Sequence, residues 1–169
     1  DLPGIKACRE VTDQIDWDCE VHRMYQEKNY GCDPSEYISQ KWAFSMVDKC
    51  IVLEDDDVPS VSFFTFCKEM LDKYEQDTRI TMIAGFNNEE ITPDVPYDYF
   101  FASTFSIWGW ASWKRVIDQW NEHYTFLEDK FNMQQLEQLI KERKFRKDFI
   151  YMCHRHKENN KAYYETIFH

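Results

Sequence analysis

Residues 50–66 read Cys-Ile-Val-Leu-Glu-Asp-Asp-Asp-Val-Pro-Ser-Val-Ser-Phe-Phe-Thr-Phe, an apolar run that breaks without a spacer into four consecutive acids, Glu54, Asp55, Asp56 and Asp57, and then a proline. Adjacent carboxylates repel one another, so the end of a buried strand accepts four of them where a cation or a row of backbone donors receives them. Oxygen-only ligands favour Mg²⁺ or Mn²⁺ over zinc, and such ions keep open positions for substrate phosphates. The expectation is a divalent-metal site that holds a diphosphate. Continuing the strand's period of two puts Glu54 and Asp56 on one face and Asp55 and Asp57 on the other. One face would hold the metal and the other would meet ribose hydroxyls or loop donors. The competing account is a solvated acidic turn that caps the helix after it, where carboxylates complement the positive end.

A chain of 169 residues fits one domain, 1–169, and 43% hydrophobic content is ample for a packed core. Acids outnumber bases 31 to 20, for a formal charge of −11. That balance argues against a nucleic-acid surface, which needs clustered Lys and Arg, and an anionic substrate would need a metal to bridge it. No stretch approaches the roughly 20 apolar residues of a membrane span, and no basic-then-apolar leader opens the chain. The six cysteines form no C-x₂-C unit and several lie in apolar runs, which reads as reduced thiols in an intracellular compartment.

Along the chain, residues 6–15 carry mixed charges at helical spacing, and residues 20–24 alternate like a short strand. A turn at 29–32 precedes a helix over 34–47 and the strand 49–53. The acids, Pro59 and a second helix over 60–74 then complete a crossover unit of the kind that parallel strands require. Residues 80–84 form the next strand, closing at Gly85-Phe86-Asn87-Asn88, and 89–98 read as a surface loop. Residues 99–107 are aromatic and β-prone, 108–113 form a turn into a helix reaching Trp120, and 127–147 form one solvated amphipathic helix. One layered α/β unit results. Only one weak strand precedes the acidic one, and the chain stops within the aromatic stretch 162–168, so it reads as a fragment, incomplete at both ends.

Trp108, Trp110 and Trp113 crowd six residues around Gly109. Glycine there permits backbone angles closed to other residues and the close approach of a ligand or a second chain segment. Tryptophan faces can carry sugar rings, although each ring taken singly is more often a core anchor. His154 and His156 stand two apart on a predicted helix, so their rings diverge onto the surface. Four glycines cannot build a phosphate-cradling loop, which leaves that work to the metal.

Taken in order, several segments together resemble the central part of a bacterial nucleotide-diphospho-sugar glycosyltransferase of GT-A fold, distantly similar to N-acetylglucosaminyltransferase I. They are Val21-His22-Arg23, Asn29-Tyr30-Gly31-Cys32, Ile51-Val52-Leu53-Glu54-Asp55-Asp56, Pro59, Ser62-Phe63-Phe64, Phe66-Cys67, Asp77-Thr78-Arg79-Ile80, Gly85-Phe86-Asn87 and 107–113. The resemblance runs from about residue 20 to 120. It implies a Rossmann-like mixed sheet flanked by helices and a Glu-Asp-Asp triplet in the role of an Asp-x-Asp motif. By the same carry-over Asp56 ligates Mn²⁺ or Mg²⁺, Asp57 stands next to it where the family pattern is loose, and Glu54, Asp55 and Arg23 meet the nucleotide sugar. Gly109, Trp110 and Trp108 would shape the sugar and acceptor pocket. The implied reaction moves a sugar from a nucleotide-diphosphate donor to a glycan or glycolipid acceptor, in the cytoplasm or at the inner face of the membrane. An inverting member also needs a general base, expected beyond this chain, Glu165 being the nearest acid within it. A nucleotidyltransferase acting on nucleotide sugars shares the strand-end acids but would carry a Gly-rich signature near its start. A non-catalytic carbohydrate-binding or scaffold domain would keep the fold alone.

Overall fold

The computed structural model describes residues 2–87, 94–103, 105–163 and 166–167. Asn88, part of the 89–98 loop and Glu165 lie outside them. Within them the chain is mixed α/β. Helix α1 spans Leu2–Thr12 and α2 Cys32–Met46, followed by strand β1 Lys49–Val52, helix α3 Val61–Lys73 and the two-residue strand β2 Ile83–Ala84. Strand β3 Trp110–Trp113 leads directly into the single turn α4 Lys114–Ile117. A 3₁₀ turn at Thr125–Glu128, α5 Lys130–Leu139 and α6 Arg143–Asn159 complete the described elements. None of the described helices is long and apolar enough to cross a membrane.

The sheet order is β1-β3-β2, with both pairings antiparallel. β1 and β2 therefore run in the same direction, as a crossover through α3 requires, but they are not neighbours. β3 lies between them, with Val52 and Ala84 both opposite Trp110 and Ile51 and Ile83 both opposite Ala111. The sheet is thus small and antiparallel among the described residues, and the strand in its centre is the segment that the sequence reads as a turn. Ala111 and Ser112 are weak strand formers in isolation, yet the central slot pairs Ala111 with both neighbours and Ser112 with β1. All four β3 residues are buried. Residues 20–24, 99–103 and 105–107, by contrast, find no paired edge among the described residues and are not strands.

The main core gathers α3, the sheet and α4 around Phe44, Phe63, Cys67, Leu71, Trp110 and Ile117. Full burial of an aliphatic side chain such as Ile117 contributes about 1.5–3 kcal/mol. Polar clasps fix the layers. Trp113 Nε1–H donates to the Leu71 carbonyl at 3.1 Å, and Ser112 Oγ–H donates to the Thr81 carbonyl at 2.7 Å. Lys114 Nζ reaches the Phe44 carbonyl at the end of α2, while Lys41 Nζ reaches the Ile117 carbonyl at the end of α4. Each cation complements a helix C-terminus. Arg115 donates to the carbonyls of Tyr74, Glu75, Asp77 and Ile80 at 2.9–3.3 Å, binding the turns after α3 to β3, and lies over the Trp113 ring.

The amphipathic segment after Leu127 is not one helix. Asp129 accepts the Asn132 N–H to start α5, and Glu142 accepts the Lys144 and Phe145 N–H groups to start α6. These caps restart the helix because they satisfy end groups that an unbroken helix would not expose. A second cluster forms there from Tyr124, Phe149 and Cys153. His156 joins it rather than the surface. At 8% exposure it stacks on Tyr163 with ring centres 3.7 Å apart, and its Nδ1 lies 2.8 Å from the Thr166 hydroxyl. The expected divergence of the two histidines does hold, since His154 stays exposed. What the spacing missed is that one of the two faces is covered.

Candidate functional site

The strand β1 ends at Val52, so the alternation expected through the acids does not continue. Residues 54–57 close a tight turn instead. The Asp57 N–H donates to the Glu54 carbonyl at 3.2 Å, and the Glu54 N–H donates back to Asp57 Oδ2 at 2.9 Å. Glu54 and Asp57 are thereby brought together and half-buried, and Asp55 and Asp56 are carried to the exposed tip. Asp57 spends one carboxylate oxygen on the turn. Helix capping does not account for the acids: α3 begins at Val61 with no acid in its first turn, and its N-cap is Ser60. Neither Asp55 nor Asp56 forms an ion pair with a Lys or Arg among the described residues.

Two glycine turns flank the acids at the same end of the sheet. Gly109, just before β3, takes φ +64, and its carbonyl accepts the N–H of Gly85, just after β2, at 2.8 Å. A Cβ on Gly109 would lie 3.9 Å from Asp57 Oδ2 and 3.5 Å from Leu53 Cδ2. A Cβ on Gly85 would collide with the Phe63 ring at 2.3 Å. The C-terminal ends of β1 and β2 and the start of β3 therefore meet at one corner, with Phe63 as the shared packing element beneath it.

The tryptophans divide between two roles. Trp110 is fully buried, as is nearly all of Trp113, and both serve the core. Trp108 is 55% exposed and meets Phe86 edge-to-face at 4.8 Å, so an accessible aromatic pair stands beside the two glycines. Phe86, within the Gly85-Phe86-Asn87 segment, is a participant to which the sequence assigned no role. Its position directly after the Gly85 turn is the signal that could have found it. Arg23 takes no part in this corner. It pairs with Asp13 at 2.8 Å and donates to the Thr12 carbonyl, tying residues 20–24 to the end of α1.

Near the same end, Cys32 donates to Glu36 Oε1 at 3.0 Å. That hydrogen bond, with the charges of Glu36, Asp33 and Glu54, pushes its thiol up to about 11, which keeps it protonated and unreactive at neutral pH. All six cysteines are free.

The donor set suits a hard divalent ion only in part. Among the described residues no group of three or more His, Cys, Asp and Glu side chains converges as a metal cage. The tip offers carboxylate oxygens alone, which fits an ion held by one or two protein ligands together with substrate phosphates and water. Asp55 and Asp56 are the two exposed acids at that tip. No family model, no curated protein and no solved structure matches this chain.

Proposed function

We propose that this chain carries the donor-binding corner of a metal-dependent glycosyltransferase of GT-A type, moving a sugar from a nucleotide-diphosphate donor to a glycan or glycolipid acceptor. The observation that carries the reading is the 54–57 turn. Its acids cap no helix, and the two carboxylates at its tip face solvent at a strand-end corner flanked by two close-packed glycines. Ligands in open α/β sheets commonly bind outside the carboxyl ends of strands. β1 and β2 both end here.

Mn²⁺ or Mg²⁺, when bound, would offset the negative charge that develops on the departing diphosphate. The chain's own part is to hold and to shape. Asp56 would be the ligand to the ion, and the Glu54–Asp57 hydrogen bonds keep the turn rigid so that Asp55 and Asp56 are presented together. Gly109 puts bare backbone beside Asp57, and the exposed face of Trp108 would receive the apolar C–H side of a sugar. Glu54 and Asp55 stand where ribose or sugar hydroxyls would be received.

Calorimetry with uridine diphosphate and guanosine diphosphate, each with and without Mn²⁺, tests this directly. Metal-dependent heat should appear with one nucleotide and vanish in Asp56→Ala, with the melting temperature unchanged. Binding that survives Asp56→Ala in full would remove the assignment.

A further inference from the structure

A groove of about 810 Å³ runs from this corner between α3, β2 and residues 95–103 and 105–106. Such a volume is ligand-sized, in the range of about 300–1,000 Å³. It includes Phe63 and Gly85, which pack on Gly109 beside Asp57, and Phe86, and it extends to Tyr74 and Tyr99. Its far wall is aromatic and fixed. Tyr99 is held edge-on by Tyr74 and Phe101 at 6.4 and 5.9 Å between ring centres, and its hydroxyl is tied to Lys73 Nζ at 2.6 Å and to the Tyr74 hydroxyl at 2.7 Å. Ser60, Ser62, Thr81 and Ser106 line the same groove as those rings. Aromatic faces together with short hydroxyls suit the C–H faces and O–H groups of a carbohydrate chain.

The charge is the discriminating feature. Arg79 and Asp98 are the charged side chains among the described lining residues, one of each sign. The Arg79 guanidinium is already held by both Asp77 oxygens at 2.9 and 2.7 Å, and Lys73, behind the wall, is engaged by the Tyr99 hydroxyl and lies against the Tyr74 and Tyr99 rings. With both neighbouring cations already engaged, in a chain of formal charge −11, the groove offers an anionic polymer repulsion and, among the described residues, no cation free of a partner. We infer that this groove takes a short uncharged oligosaccharide as the acceptor, its end delivered to the corner past Phe63 and Phe86, and that it discriminates against acidic glycans. The inference rests on the glycosyltransferase reading for the word acceptor, and on the groove alone for binding.

The test is a nuclear magnetic resonance titration of the 169-residue chain with cellotetraose and chitotetraose, both uncharged, and with a hyaluronan tetrasaccharide, which is acidic. At least one uncharged probe should shift the amides of residues 95–106 and α3, with hyaluronan at least tenfold weaker. Phe101→Ala and, separately, Tyr97→Ala should each weaken the uncharged probe tenfold or more; both side chains are mostly exposed, so melting should not change. No shift with either uncharged probe, equal binding of hyaluronan, or wild-type affinity in both variants overturns the inference. Parallel titration with uridine or guanosine diphosphate and Mn²⁺ separates the two readings. Nucleotide binding with no glycan shift sinks the groove alone, whereas glycan shifts with no nucleotide binding keep the groove and sink the donor site.

Discussion

Adding one methyl group at Gly85 should disturb both stability and the corner. A Cβ there would sit 2.3 Å from Phe63 Cε2, 2.7 Å from Cδ2 and 2.8 Å from the Gly109 carbonyl oxygen. Carbon atoms pack at about 3.5–4.0 Å, so the ring would have to retreat by at least about 1.2 Å. Phe63 is a buried core residue, and Gly109 O already accepts the Gly85 N–H, so neither neighbour yields freely. Overpacking of this kind costs about 1–3 kcal/mol. For a chain this long each kcal/mol is worth about 2–4 °C, so a cost of about 2 kcal/mol lowers melting by roughly 4–8 °C. Urea titration of Gly85→Ala, Phe63→Leu and the double variant should show coupling of about 0.5–3 kcal/mol, because removing ring atoms relieves part of the clash. Strictly additive losses, or a Gly85→Ala midpoint equal to wild type, would refute the close-packing argument. Nucleotide binding should weaken in Gly85→Ala as well, since Gly109 and Asp57 move with the displaced turn.

At Gly109 the constraint is the backbone rather than the space, so Gly109→Ala should cost about 1–2 kcal/mol in urea titration and Gly109→Asn measurably less, because Asn tolerates positive φ. Arg115→Lys should lose about 2–3 kcal/mol by the same assay, as an ammonium cannot span four carbonyls. Hydrogen bonds from the Arg79 side chain and N–H hold the Asp77 carboxyl down to about 2 against an ordinary 3.8. The unfolded chain therefore takes up that proton first as pH falls, and the stability from this pair, complete above about 3.8, should drain away toward pH 2, a slope that Asp77→Asn should flatten. Burial holds His156 below the usual 6.5, with Asp33 opposing and Arg155 assisting. Its stabilising effect should be complete above pH 6.5 and decline as pH drops from there toward the folded value, seen as a falling melting temperature that His156→Gln lacks.

The elements from α2 to α3 were legible because local signals agreed with one another, whereas residues 20–24 alternate like a strand but pair with nothing among the described residues. Gly31 and Asp33-Pro34 announce the start of α2, the Cys-Ile-Val run forms β1, and Pro59-Ser60 precede α3 where the apolar spacing begins. The four acids were legible as a cluster but not as a shape. A period of two applies only while a strand continues, and nothing in Glu-Asp-Asp-Asp says that Asp57 will fold back onto the Glu54 N–H. Beyond β2 the local signals mislead. Residues 99–107 have stronger β propensity than Trp-Ala-Ser-Trp, yet the latter became the central strand because strand formation is rewarded by paired edges rather than by side-chain type. Asp129 and Glu142 were visible as acids within a charged helix. Their role as caps depended on where α5 and α6 turn to bury Tyr124 and Phe149.

The sequence by itself determined the composition of the corner: four carboxylates directly after a short apolar strand, two glycines downstream, and tryptophans around one of them. Those are covalent facts about neighbours, and repulsion between adjacent charges needs no fold to be felt. The tertiary structure decided which of these groups meet. Gly85 and Gly109 lie 24 positions apart, and only β3 sliding between β1 and β2 puts their backbones in contact beside Asp57. The same insertion buried Trp110 and left Trp108 exposed. Which of two like residues serves the core and which faces solvent is set by long-range packing, and the chain's local order does not encode it.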